Sequence, residues 1–183
     1  MNNFLTTKSF HQYYLISRIF LFFIIISISF PHKAYSSELD NLFLKLKLSD
    51  NAVLARNYES KIWKIWLNSG SSDASNNQMQ IGLKLMENGQ LVHAQKVFEE
   101  ISIKDPNWAE SYNKIATIKF LKGDYLGSIN DIKKTLKLEP RHFGAISGLV
   151  QINIILKKYE EALINLEYVL NIHPYIGIKK LKP

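Results

Sequence analysis

The string EPRHFG at residues 139–144 concentrates the side chains best suited to bind an anion. The guanidinium of Arg141 forms bidentate hydrogen bonds with carboxylates, and the imidazole of His142 donates or accepts a proton. Two interpretations follow. Arg141 and His142 contact an anion or carboxylate of a ligand, or they hold a structural turn, with Arg141 paired to Asp131 or Glu139 and His142 bonded to turn carbonyls. The sequence favours the structural turn, because arginine readily forms such carboxylate pairs.

Catalytic and metal chemistry is not expected in this chain. It has no cysteine, which excludes disulfides, thiolate metal sites and a cysteine nucleophile. The sequence motifs of P-loops, zinc hydrolases and serine hydrolases are absent. His93, His142 and His173 are not spaced with carboxylates as metal ligands would be. The sequence therefore predicts a protein that is not an enzyme, with no catalytic residue, no metal and no cofactor.

The positive charge is concentrated at the two ends of the chain. The formal net charge is +7, but residues 1–36 hold three basic residues and no acidic one, and residues 178–183 hold three lysines. The segment between them carries 17 basic and 16 acidic residues. Nucleic-acid-binding proteins instead gather Lys and Arg on one face. No nucleic-acid partner is expected.

The elements that position these side chains repeat every 34 residues. Pro106, Pro140 and Pro174 stand 34 apart, and other positions keep the same interval: Gly89, Gly123 and Lys157; Ala94, Ser128 and Ala162; Phe98, Ile132 and Leu166. Small residues allow two helices of a hairpin to approach closely, and a proline ends the second helix. The pattern predicts three helix pairs at 75–108, 109–142 and 143–176.

This 34-residue pattern resembles the tetratricopeptide repeat family and covers about 100 residues. The stretch 138–145 (LEPRHFGA) and its neighbours are similar to short exported repeat proteins of alphaproteobacteria, a group of undefined function. The resemblance implies an all-α fold, a right-handed α-solenoid of three helix pairs. An N-terminal helical pair at 37–70, a loop at 71–77 and a basic tail at 177–183 complete the predicted organisation. Trp63 and Trp66 are expected to pack onto the first repeat.

In such solenoids the first helix of each repeat lines a concave groove that binds partners. The repeat frame places seven candidate contacts there, namely Met79, Leu83, Glu110, Asn113, Lys114, Thr117 and Gln151. Asparagine and lysine suit an extended peptide, because they supply amide donors, an amide acceptor and ammonium donors. The carboxylate clamp of the family's chaperone-tail binders is not expected, since Met79, Leu83, Gly144 and Gly148 occupy its polar positions.

The N-terminus resembles a secretory signal peptide at 1–36. An uncharged run of 12 residues, 19–30, follows Lys8 and Arg18 and precedes the small residues of Ala34-Tyr35-Ser36. The alternative is an uncleaved anchor over 13–30, somewhat short for the roughly 20 residues of a spanning helix. Either form places the repeats outside the cytoplasm, in a bacterial periplasm or anchored in the inner membrane.

Together these features predict an exported adaptor or scaffold that binds a peptide segment of a partner protein in the concave groove. The alternatives are a self-associating or membrane-tethered structural component of the cell envelope, or an accessory protein of an envelope enzyme. The last repeat has no following helix in the repeat frame. A partial cap from residues 175–183 is expected there, with a docked partner or a second copy, giving a homo-oligomer, as the alternatives.

Overall fold

The computed structural model of the protein describes residues 33–181, with side chains from residue 38 onward. Most of the predicted signal peptide or anchor, and the last two residues of the tail, lie outside the described residues. From Leu39 onward the chain forms one compact unit. The described helices are α1 (Lys33–Lys47), α2 (Ala52–Leu67), α3 (Asp73–Glu87), α4 (Leu91–Lys104), α5 (Ala109–Leu121), α6 (Tyr125–Leu138), α7 (Phe143–Ile155), α8 (Tyr159–Ile172) and a 3₁₀ helix (Gly177–Leu181). No helix in this part of the chain has the length and apolar character to cross a membrane.

The helices from α3 to α8 form three packed pairs. The second helices begin at Leu91, Tyr125 and Tyr159, which keeps the 34-residue interval. The first pair starts at Asp73, inside the segment 71–77 that the sequence predicts as a loop, so that prediction is wrong. The helix begins early because Ser72 caps it, with its side chain accepting the backbone N–H of Ser75. The negative charge of Asp73 in the first turn also interacts favourably with the positive end of the helix dipole.

Small residues stand where the two helices of a pair come closest. A Cβ at Gly82 would lie 2.5 Å from the ring of Phe98, which is fully buried beside Ala94. In the second pair the hydroxyl of Ser128 donates to the backbone oxygen of Ala116 at 2.8 Å. This close approach explains why the second helix of every repeat keeps a small residue, namely Ala94, Ser128 or Ala162.

The turn inside each pair requires a left-handed backbone. Gly89 has φ +72° and Gly123 has φ +80°, and in both turns the next residue donates its N–H to a carbonyl five residues back. The third turn places Lys157 in the same conformation, with φ +58°. Left-handed backbone costs a residue with a Cβ about 1–2 kcal/mol, whereas glycine adopts it freely.

Lys157→Gly is therefore expected to raise the free energy of unfolding by about 1 kcal/mol. Urea denaturation followed by circular dichroism measures the change. Lys158→Gly is the matched control, because Lys158 has an ordinary φ of −91° and its replacement relieves no strain. A gain of equal size in both variants would contradict the explanation.

The N-terminal pair lies across the turns that follow the three repeats. The carbonyl of Trp66 accepts the indole N–H of Trp108 at 2.7 Å after the first repeat, and the Trp66 ring stacks on His142 after the second. After the third, the hydroxyl of Tyr175 donates to the backbone oxygen of Asp50 at 2.7 Å. We call α1 from Leu39 onward together with α2 the strap.

The strap shares its core with the third repeat. Leu46 and Ile62 of the strap are fully buried together with Phe143 and Val169. The prediction that Trp63 and Trp66 pack onto the first repeat is therefore wrong for their rings, which contact His142 and Phe143. Helical periodicity identifies an apolar face, but it does not say which repeat that face meets.

Candidate functional site

A groove of about 250 Å³ opens between the second and third repeats. Three polar side chains predicted from the repeat frame line it, Asn113 and Thr117 from α5 and Gln151 from α7. The remaining lining is mostly apolar or small: Ala116, Phe120, Leu121, Ser128, Ile132, Gly144, Ala145 and Gly148. The groove therefore offers hydrogen-bonding groups along the first helices and an apolar floor between them.

Two glycines of α7 allow close packing at the margins of this groove. A Cβ at Gly148 would stand 3.2 Å from Cδ1 of Ile132 in α6. A Cβ at Gly144 would stand 2.6 Å from the ring of Trp63, so the strap is in contact with one margin of the groove. The sequence did not predict the contribution of α6 to the groove. Gly144 and Gly148 lie on adjacent turns of α7, and a helix face without side chains usually packs closely against a neighbouring element. These two glycines could therefore have indicated the contact with α6.

Local hydrogen bonds fix the polar side of the groove. The hydroxyl of Thr117 donates to the backbone oxygen of Asn113 at 2.8 Å. The amide NH₂ of Asn113 donates to the carboxylate of Glu110 at 3.2 Å. Because the amide nitrogen is engaged there, the side-chain oxygen of Asn113 is the group that can accept an N–H from a ligand.

Glu110 lies beneath the polar side of the groove, at the centre of a buried polar cluster. Its carboxylate is 1% exposed and lies 2.9 Å from Nζ of Lys114 and 2.8 Å from Nε2 of His142. Burial alone would raise the pKa of Glu110, but the charge of Lys114 and the hydrogen bond to His142 outweigh burial and lower the pKa below its ordinary value of 4.5. Glu110 therefore remains a paired carboxylate at neutral pH.

His142 joins the second repeat, the third repeat and the strap. Its Nδ1 accepts the backbone N–H of Ala145 at 3.1 Å, which caps the first turn of α7. Nε2 must then carry the ring proton and donate it to Glu110. The ring stacks on Trp66 with centroids 4.0 Å apart and planes 10° apart. His142 is thus a structural residue of the junction and is fully buried.

Arg141 also holds the turn. Its Nε lies 3.0 Å from Oε1 of Glu139, and its Nη1 lies 2.6 Å from the carboxylate of Asp40 in the strap. The predicted alternative partner, Asp131, instead pairs with Lys119 at 2.6 Å and Lys134 at 2.9 Å. Of the two interpretations of Arg141 and His142, the contacts match the structural turn. The predicted bonds from His142 to turn carbonyls are wrong, because its ring bonds the carboxylate of Glu110 and the N–H of Ala145.

Four of the seven predicted groove contacts are placed elsewhere. Met79 is fully buried in the core of the first repeat, and Leu83 packs against that core. Glu110 is buried, and the ammonium of Lys114 is engaged by Glu110 and lies 5.3 Å from the Trp63 ring centroid. Counting along the repeat does not separate these side chains from Asn113, Thr117 and Gln151, because residues three and four apart lie on the same face of a helix.

Comparisons with known proteins agree with this fold. No family model matches the chain. The chain is 37% identical over 115 residues to a TPR repeat-containing protein of Rhizobium etli, an alignment that covers 63% of this chain and 56% of that protein. The fold is similar to a solved structure of the TPR2AB domain of yeast Sti1 in complex with pHSP90, with a TM-score of 0.51 and 18% identity over 74% of this chain and 54% of that one. The chain thus spans about half the length of both proteins.

These similarities confirm the resemblance to the tetratricopeptide repeat family, which the Rhizobium protein supports by sequence. They also confirm an α-solenoid of helix pairs. Repeats of this kind typically act as non-catalytic modules for protein–protein interaction.

Proposed function

We propose that this protein is an exported adaptor or scaffold that holds an extended peptide segment of a partner protein in the groove between its second and third repeats. The observation that carries the proposal is the pairing of Asn113, Thr117 and Gln151 with an apolar floor in one open groove. Backbone amides of the segment bind the polar side, and an apolar side chain fills the floor.

The size of the groove favours a peptide over a small molecule. Pockets for small molecules usually enclose roughly 300–1,000 Å³ and bury most of the ligand. This groove is about 250 Å³ and open. It therefore suits one anchoring side chain of a longer segment, whose remaining residues extend over the solenoid.

The groove also favours an internal segment over a chain terminus. Gly144 and Gly148 line it and supply no side-chain donor. The nearby ammonium of Lys114 already pairs with Glu110 at 2.9 Å. A terminal carboxylate would be desolvated there without a cationic partner, which is unfavourable. Binding should then be the same for a peptide with a free carboxylate and for its amide.

The combined variant Thr117→Val/Gln151→Ala tests this proposal. A peptide is first selected from a displayed library against the full chain, and its affinity is then measured by fluorescence anisotropy as the acid and as the amide. Loss of two hydrogen-bonding groups is expected to weaken binding about 10- to 30-fold.

Asn130→Ala is the matched control, since Asn130 is an exposed amide on α6 that does not line the groove. Its affinity should equal that of the wild type. Equal weakening in both variants, or binding that depends on the free carboxylate, would exclude the proposed mode.

Export rests on the N-terminal sequence. The basic start, the apolar run at 19–30 and the small residues at 34–36 support secretion and cleavage after Ser36. The proposed compartment is a bacterial periplasm, with an anchor over 13–30 as the alternative. The mass of the protein recovered from source cells distinguishes a chain that starts at Ser37 from one that keeps the anchor.

A further inference from the structure

His142 is a fully buried histidine whose two ring nitrogens both have partners in the folded chain. Nδ1 accepts the backbone N–H of Ala145 at 3.1 Å, and Nε2 lies 2.8 Å from the carboxylate of Glu110. The ring is therefore neutral, with its proton on Nε2. A second proton would have to bind Nδ1, where it would face the N–H of Ala145 instead of an acceptor. The folded junction has no position for that proton.

The charged groups around the ring give a second proton no hydrogen-bond acceptor. The carboxylate of Glu110 attracts positive charge, but Nζ of Lys114 lies 2.9 Å from the same carboxylate and offsets part of that attraction. The neighbouring Arg141 already pairs with Glu139 and Asp40. Glu110 also accepts the Nε2 proton of the neutral ring. Protonation therefore breaks the hydrogen bond at Nδ1 without forming a new one.

Two parts of the fold depend on this ring. It stacks on Trp66 of the strap, with centroids 4.0 Å apart, and its centroid lies 5.5 Å from that of Trp63. Its bond from Ala145 caps the first turn of α7, and Phe143, the first residue of that turn, contacts both tryptophan rings. Loss of the cap therefore loosens the first turn of α7 and the strap that packs on it.

A second buried histidine lies in the same junction and is a separate titratable group. The ring of His173 contacts Phe143 with centroids 5.4 Å apart, and its Nε2 lies 3.2 Å from Oε2 of Glu59 in the strap. This contact lowers the pKa of Glu59 below its ordinary value of 4.5, and the charge of Arg56 adds to the effect. No N–H of the described residues donates to the ring of His173. Protonation of His173 therefore breaks no hydrogen bond of the kind that Ala145 makes, and an experiment must separate the two histidines.

We propose that protonation of His142 opens this junction, so that acid releases the strap and the first turn of α7 together. An exposed histidine takes up a proton at about pH 6.5, whereas the closed junction excludes it. The closed form is therefore fully favoured above about pH 6.5, and each pH unit below multiplies the opening equilibrium by about ten. Glu110 stays ionised in this range, because its pKa lies below the ordinary value of 4.5.

Opening of the junction also reaches the groove between the second and third repeats. Gly144 and Ala145 of the first turn of α7 line that groove, and Trp63 contacts Gly144 at its margin. A segment held there would therefore bind more weakly in acid. This consequence rests on the proposed function, whereas the opening itself is measured without a ligand.

Hydrogen exchange of the full chain at about pH 7.5 and about pH 5.5 measures the opening, after correction for the effect of pH on the intrinsic exchange rate. The amides of α2 and of the first turn of α7 should lose about tenfold in protection. At the lower pH, α2 should exchange faster than the central helix α5. Unchanged protection would overturn the proposal, and so would equal protection of α2 and α5, which indicates unfolding of the whole chain.

His142→Asn is the decisive variant, because asparagine can still accept the N–H of Ala145 but does not titrate. Its loss of protection should be below about twofold. His93→Asn, at an exposed histidine of α4, and His173→Gln should both keep the loss of about tenfold. A loss that survives in His142→Asn, or that disappears in His173→Gln, would contradict the role of His142.

A measurement on the unsubstituted chain covers the case that His142→Asn does not fold. Nuclear magnetic resonance of ¹⁵N-labelled histidine distinguishes a neutral ring from an imidazolium. At about pH 5.5 the closed fold should keep His142 as the neutral Nε2–H form, although exposed histidines are largely charged at that pH. A charged His142 in the closed fold would overturn the proposal.

Discussion

Trp66→Ala is expected to lower the free energy of unfolding by about 3–5 kcal/mol. Trp66 is 6% exposed, stacks on His142 at 4.0 Å, and contacts the rings of Phe43 and Phe143 with centroids 5.9 Å and 4.9 Å away. Its removal leaves a cavity where the strap crosses the junction of the second and third repeats. Urea denaturation of the full chain, followed by far-ultraviolet circular dichroism, measures the loss.

Trp66→Phe is the matched control for the aromatic contact. Phenylalanine preserves a ring over His142, and it removes an indole N–H for which the described part of the chain offers no acceptor. Its cost should be well below that of alanine. If Trp66→Ala changed stability by less than about 1 kcal/mol, the strap would not be an integral part of the solenoid.

Glu110→Ala should be as damaging, with a loss of about 3–5 kcal/mol. The carboxylate accepts hydrogen bonds from His142 and Asn113 and pairs with Lys114, whose side chain is 16% exposed. Without Glu110 the Nε2–H of His142 remains buried without an acceptor, and Lys114 loses its partner. The same denaturation measurement applies, and a loss below 1 kcal/mol would mean that the cluster is not a stabilising one.

The pH dependence of stability provides a second measurement of this cluster. The pKa of Glu110 is lower in the folded chain than its ordinary value of 4.5, because Lys114 and His142 outweigh the effect of burial. The ionised carboxylate therefore stabilises the fold above about pH 4.5, and that contribution is lost as the pH falls through the lowered pKa. Glu110→Gln should flatten the decline below pH 4.5, whereas the exposed Glu87→Gln should leave it unchanged. An unchanged decline in Glu110→Gln would contradict the role assigned to this carboxylate.

The repeats were predictable because their requirements are local. A close helix pair needs a small residue, as at Gly82 against Phe98, and a left-handed turn favours glycine, as at Gly89 and Gly123. These needs recur every 34 residues and appear directly in the sequence. Even the exception at Lys157 keeps the backbone conformation of the other two turns.

The strap and the buried cluster were not predictable, because their contacts join residues that are far apart in the sequence. Trp66 meets His142 only in the folded chain, and the hydrogen bond of His142 joins it to Glu110, 32 residues away. A glutamate in a helix normally indicates a solvated surface. Its burial is accompanied by Asn113 and Lys114 on the same helix and by His142 from a distant turn, and no local pattern connects Glu110 to His142. The repeat frame assigned Asn113, Thr117 and Gln151 to the first helices, but the same frame also assigned four residues that do not line the groove.

In the proposed function, a protein segment binds in the groove between the second and third repeats. Its most direct test is photocrosslinking in source cells, with a photoreactive amino acid at Gln151 in one full-length variant and at Asn130 in another. We expect a discrete crosslinked protein from position 151 that is competed by the selected peptide, and none from position 130. The same products from both positions, or products that the peptide does not displace, would show that the groove is not the binding site.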